Sequence, residues 1–132
     1  MSIGASMSVS GFVAVGVGAA IGAWVRWGLS LWLNTRHAQF PYGTLAANLI
    51  GGYLVGLAVA YFSQSSDMNL TARLFVITGF LGGLTTFSTY SAEVVSLLQR
   101  GEPGWALTVA GGHLAGSLLL TALGFMTYRA FA

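Results

Sequence analysis

Residues 79–91 read Gly79-Phe80-Leu81-Gly82-Gly83-Leu84-Thr85-Thr86-Phe87-Ser88-Thr89-Tyr90-Ser91, and from Thr85 to Ser91 every residue but Phe87 carries a hydroxyl. The run lies inside a mostly apolar stretch, 71–98, longer than the roughly 20 residues that cross a bilayer as a helix. One or two hydroxyls on such a helix bond back to their own i−4 carbonyls. At this density they would face every direction around it. Gly82-Gly83 weakens the helix just ahead of the run. Irregular backbone at mid-membrane depth is tolerated only where protein or water covers it. The stretch therefore predicts a span broken at its centre, with the break lining a cavity or binding an ion.

Three more stretches have the length and character of spans, at 11–33, 43–62 and 105–131. Charged residues are 6% of the 132 and hydrophobic ones 55%, with 19 glycines besides. A soluble chain carries about a quarter charged residues, so a bilayer is the simplest solvent for this one. The connections 34–42, 63–70 and 99–104 hold both prolines, Pro41 and Pro103, and half of the charged residues. Short polar connections of this kind predict helical hairpins. Trp32, Tyr42, Tyr61, Trp105 and Tyr128 fall near span ends, as interfacial aromatics do. The expected architecture is a single all-α transmembrane domain of four helices, the third broken. No Lys or Arg precedes the first apolar run, which is too long for a signal h-region and reads as a retained span.

Small residues recur four apart at Gly18 and Gly22, Gly52 and Gly56, Gly79 and Gly83, and Gly112 and Gly116. Such pairs let helix backbones approach closely, and packing is the role expected of them. The basic residues are all arginines: Arg26, Arg36, Arg73, Arg100 and Arg129. Arg73 and Arg129 belong to the side of the termini and second loop, Arg36 and Arg100 to the other. This even count gives no inside by the positive-inside rule. One reading is a chain that inserts both ways and pairs with an opposed copy.

No nucleophile–base pair, phosphate loop or metal-ligand spacing is present, and there are no cysteines, so an enzyme is not expected. A net charge of +2 without a basic cluster does not suit a nucleic-acid partner. His37 reads as a solvated loop residue and His113 as a hydrogen-bonded helix residue. The polar groups within the spans are mainly donors toward an anion. They comprise the hydroxyl run, Asn48 in the second span, and His113, Ser117 and Thr121 at successive i+4 positions in the fourth. Glu93 is the only acid inside a span, whereas cation paths usually show a buried carboxylate or acidic ring. Arg26, in the first span, supplies a field that draws anions or snorkels to the interface. Phe87 and Tyr90 share a helix face, and their positive ring edges suit an anion. The polar inventory by itself reaches a donor-lined path for a small, strongly hydrated anion.

The run from Gly79 to Glu93 resembles the signature of the Fluc (CrcB) fluoride channels. Gly43-Thr44-Leu45-Ala46-Ala47-Asn48-Leu49-Ile50-Gly51-Gly52 looks like that family's second-helix motif. Gly22-Ala23-Trp24-Val25-Arg26-Trp27, and Gly116-Ser117 through Thr121-Ala122-Leu123-Gly124, are similar to its first and fourth helices. The likeness covers nearly the whole chain in order. It implies an antiparallel, dual-topology homodimer in lipid, in the bacterial inner membrane, which exports fluoride passively and confers fluoride resistance. It further implies a structural sodium ion at the dimer interface, held by the backbone carbonyls of Gly82 and Thr85. It assigns the fluoride pathway to Asn48, Phe87, Tyr90, Ser88, Thr89, Ser117 and Thr121, with Glu93 beside it and Arg26 near the pore entrance. The chain departs from the pattern at Tyr90, where the family usually has Phe.

Two other functions fit a four-span chain. A small multidrug-type exporter exchanges protons for a cationic drug at a first-span carboxylate, and residues 11–33 hold no Asp or Glu. A non-transporting membrane scaffold explains the glycine spacings but not the hydroxyl run with Asn48.

Overall fold

A computed structural model describes residues 8–34, 40–64 and 70–132. Arg36, His37, Asp67, the N-terminal residues ahead of Ser8 and most of the first two loops lie outside the described residues.

Helix α1 spans Val9–Leu33. Ser8 starts it by accepting a hydrogen bond from the Gly11 N–H at 3.1 Å, which satisfies one of the orphan donors of the first turn. Helix α2 spans Tyr42–Ser63, directly after Pro41. The third span runs Leu70–Gln99 in two pieces. Its first piece, α3, covers 70–84, with α-helical ends at Leu70–Arg73 and Gly82–Leu84. Between them Leu74–Leu81 is wound as a π-helix, which no sequence pattern foretold. Its second piece, α4, spans Phe87–Gln99. Helix α5 spans Pro103–Phe131 with proline in its first turn, where the missing N–H costs nothing. The turn between α4 and α5 is a Schellman cap. The Glu102 N–H reaches Leu97 O at 2.9 Å, the Gly101 N–H reaches Leu98 O at 3.1 Å, and Gly101 takes the positive φ of 74° that the motif requires.

Among the described residues, four spans are thus long and apolar enough to cross a membrane. The boundaries exceed the expected ones by one or two residues at several ends, by two at Val9 and at Pro103, which starts α5 rather than preceding it. The third span is interrupted at its middle, but not at the glycines. Gly82 is helical, with φ −63° and ψ −38°. The chain leaves the helix at Thr85 (φ −87°, ψ 154°) and Thr86 (φ −149°, ψ 124°). β-branched threonines fit extended backbone well. The Thr86 side chain then caps α4 by accepting from the Thr89 N–H at 3.1 Å. Gly83 serves close approach instead, facing the backbone of Ala19.

That approach pairs α1 with α3 and α2 with α5. A Cβ added to Gly18 would lie 2.6 Å from Phe75 O, and one on Gly79 would lie 2.8 Å from Val15 O. Gly22 and Gly83 are equally closed by the backbone of the facing helix. On the other pair, Gly56 faces the backbone of Thr121 and Gly124. Of the four small-residue pairs expected to pack, Gly112–Gly116 does so only in part. Gly116 meets the Leu49 side chain, whereas Gly112 has open space around it. Its place is taken by Gly124, about two turns beyond the expected pair, because that is where α5 crosses α2.

The interior is small and the exterior apolar. Ala47, Leu81 and Leu84 form one buried cluster, and Leu97, Ala106 and Val109 another. Phe12, Trp24, Leu107 and Leu118 are 82%, 65%, 75% and 65% exposed. Apolar surface on this scale is not tolerated in water but is the coat a bilayer requires. Thr44, Asn48 and His113 are buried, so polar groups lie inside and hydrocarbon lies outside.

Candidate functional site

The two extended residues of the third span lie against α2, and Asn48 binds the exposed peptide groups. Its Oδ1 accepts from the Thr86 N–H at 2.8 Å, and its Nδ2 donates to Thr86 O at 3.0 Å. A buried amide and carbonyl without partners would cost about 1–3 kcal/mol each, so this clamp is what makes the break tolerable. The two bonds also settle which end of the Asn48 amide is which, since an N–H must face an oxygen and a carbonyl must face a nitrogen. The second Nδ2 hydrogen goes to His113 Nδ1 at 3.0 Å. Nδ1 is therefore the acceptor and the remaining hydrogen of the neutral ring sits on Nε2. Both Asn48 donors are engaged within the protein. His113 Nε2, in contrast, is buried and has no partner among the described residues.

A cavity of about 270 Å³ opens at this point. Asn48, Thr86, Phe87, Tyr90, His113 and Ser117 are among its lining residues. The Phe87 and Tyr90 rings meet edge to face with centroids 5.5 Å apart. Tyr90 in turn lies over His113 at 4.6 Å and 30°. The Tyr90 hydroxyl donates to Ala110 O at 3.0 Å, so the group that distinguishes this residue from phenylalanine is spent on α5. Phe87 is 78% exposed and projects from the bundle.

The other residues singled out by sequence divide among several places. Thr89 and Glu93, on the next turns of α4, line a second cavity of about 520 Å³ together with Ser96 and Arg100. There Glu93 Oε2 accepts from the Thr44 hydroxyl at 2.7 Å, and Thr44 Oγ accepts from Asn34 Nδ2 at 3.4 Å. Glu93 Oε1 is buried without a partner among the described residues. Ser88 is exposed and 3.3 Å from Thr86 Oγ1. Thr121 donates to Gly52 O at 3.0 Å and so ties α5 to α2. Thr85 bonds back to Leu81 O at 2.9 Å, which is the ordinary behaviour of a helical threonine. The hydroxyls of the run are therefore spread over several surroundings rather than gathered along one cavity.

Arg26 stands apart from both cavities. Its Nε donates to Gly83 O at 3.1 Å, close to the midpoint of the 30-residue third span. Of the two roles open for it, snorkelling is set aside, since the guanidinium is held at mid-span. Gly82, on the last turn of α3, is exposed, and Thr85, the residue that ends it, is half-buried; helix carbonyls lose their partners at such an end. The Thr86 N–H that a continuous helix would send to Gly82 O goes to Asn48 instead. Asn34 was missed by sequence reasoning because its role, bridging the Gly43 N–H at 2.6 Å and Thr44 across the first loop, depends on α1 and α2 meeting.

Residues 13–125 match the family described as CrcB-like protein, Camphor Resistance (CrcB). Among similar proteins, one from Cupriavidus taiwanensis, named fluoride-specific ion channel FluC, is 60% identical over 96% of this chain and all of its own length. Proteins of the same name from Thiobacillus denitrificans and Dechloromonas aromatica are each 56% identical. They cover 92% and 94% of the chain and 98% and 92% of their own lengths, respectively.

Proposed function

The chain belongs to the CrcB-like family, and from that premise we propose that it is a fluoride-specific channel, a multi-pass membrane protein of a bacterium that lets fluoride leave the cytoplasm passively and so confers resistance to it. The observation that carries this reading is the cavity at the broken third span. It is lined by neutral donors and aromatic edges and holds no carboxylate. A small anion gives up its hydration shell only where several donors replace it. The orphaned His113 Nε2–H, the Ser117 hydroxyl and the edges of Phe87 and Tyr90 are of that kind. Asn48, with both donors engaged, serves by holding the break open. Thr89 and Glu93 form the next station along α4. Ser88, exposed beside Phe87, is assigned to the same path. Thr121 continues the stripe on α5.

The functional unit is an antiparallel homodimer with opposed copies in lipid. The even distribution of arginines supports this. So does an exposed face on the third span that combines Thr78, Gly82, Phe87 and Ser88, an unusual mixture to leave against hydrocarbon. Hard carbonyl oxygens at a helix C-terminus suit a hard monovalent cation. Gly82 and Thr85 are the residues that would hold a sodium ion there, each copy contributing its share. Such an ion would neutralise the facing carbonyl dipoles and join the copies.

Liposome efflux followed with fluoride- and chloride-selective electrodes tests the function. Fluoride leaves rapidly and chloride does not; equal or absent fluxes refute the reading. In the same assay Phe87→Ile abolishes fluoride efflux while the protein still assembles, and undiminished efflux would remove Phe87 from the pathway.

A further inference from the structure

The break in the third span strips the last turn of α3 of its own partners. In a continuous helix Gly83 O would accept from the Phe87 N–H, four residues on. With Thr85 and Thr86 extended, that bond is gone. The Arg26 Nε–H, from a different helix, occupies the place at 3.1 Å. Gly83 itself is held against α1, since a Cβ there would strike the backbone of Ala19, so the arginine reaches a carbonyl whose position is already set. The contact also puts a positive charge at the end of α3 where the helix dipole is negative. A charge in the middle of a span is retained only where it is paired or bonded to backbone carbonyls.

We propose that Arg26 is a positioning residue for conduction: it caps the broken end of α3 from α1, while Asn48 clamps the peptide of Thr86 from α2. The two side chains act from opposite sides of the same two-residue interruption. Together they set where α4 begins, and with it the placement of Phe87 and Tyr90. Arg26 also takes the carbonyl of Gly83 and leaves that of Gly82, its neighbour, available to other partners. It touches no conducted ion. The inference rests on the channel reading above, and it replaces a general attraction of anions by Arg26 with one bond.

Single-channel fluoride currents in planar bilayers test it, because they register only folded and assembled protein. The unitary current falls about tenfold or more in Arg26→Met, which keeps the apolar stem and loses donor and charge; this is the scale of one lost charge-assisted bond. Arg26→Lys, which keeps the charge and offers a donor of different reach, gives a current between those of Arg26→Met and the unsubstituted protein. A role confined to stability would reduce the number of channels and leave their unitary current unchanged, and that result overturns the proposal. If Arg26→Met does not fold, Arg26→Lys decides alone, and an unchanged unitary current there overturns it. Absence of fluoride current from the unsubstituted protein is a failure of the channel reading, and is distinct from either of these results.

Discussion

At the scale of single residues, this site is governed by what each polar atom has already been committed to. Tyr90 is the clearest instance. Its hydroxyl departs from the family's aromatic pair, and such a group can donate to the ion, retain it, or be oriented elsewhere. The bond to Ala110 O at 3.0 Å selects the third. Tyr90→Phe should therefore leave the rate of fluoride efflux unchanged, since the ring facing Phe87 is kept. It should lower thermal stability by about 1 kcal/mol, the ordinary worth of one hydrogen bond. A marked rise or fall in efflux at unchanged stability would show that the hydroxyl faces the ion. Asn48 teaches the same lesson in the opposite sense. Its residue type suggests a ligand, yet its two hydrogens and its oxygen all serve the break and His113. The donor of the group left without a partner among the described residues is His113 Nε2, one bond further on.

At the scale of helices, glycines determine which elements can touch. Along α1 and α3 they form facing pairs whose backbones lie within contact of one another. This close packing substitutes for the hydrophobic drive that is missing between helices in lipid. Gly79→Val would put a branched side chain where Val15 O lies 2.8 Å from an added Cβ, and overpacking of this kind costs about 1–3 kcal/mol. The melting temperature in detergent should fall well below that of Gly112→Val, because Gly112 has nothing within 4 Å. Equal effects of the two substitutions would show that helix propensity rather than α1–α3 contact is what the glycines supply. The break belongs to this scale as well. Gly82-Gly83 announces some interruption, but these residues serve packing and helix continuation. Thr85 and Thr86 make the turn because Asn48 is there to satisfy it.

At the scale of the whole molecule, one copy is thin. Its two buried clusters are small, and Phe87, a proposed pathway residue, projects from the bundle at 78% exposure. The second, opposed copy proposed above would give these surfaces a neighbour. The absence of native cysteines makes the orientation measurable. Gln64→Cys, at the exposed end of α2, should be labelled by a membrane-impermeant maleimide in about half the molecules of intact spheroplasts, since an even charge count gives no preferred side. Complete labelling, or none before permeabilisation, would mean a single orientation and exclude an antiparallel pair.

Sequence by itself determined the number of spans, their character and the central interruption of the third, because these follow from local composition. Hydropathy over about 20 residues, loop polarity and a dense hydroxyl run each have a physical meaning that needs no partner. It also brought together most of the residues around the break, through the spacing of His113, Ser117 and Thr121 and through the family signature. Tertiary structure decided what each of those residues does. Whether Arg26 snorkels or caps Gly83, whether Asn48 donates outward or clamps Thr86, and whether Gly112 or Gly124 packs against α2 all depend on which helices face one another and at what height. Hydrogen bonds of about 3 Å between helices are settled by that relative placement, and no local pattern of residues encodes it. The break that opened the sequence reading is thus written locally, but the atoms that hold it open come from α1 and α2.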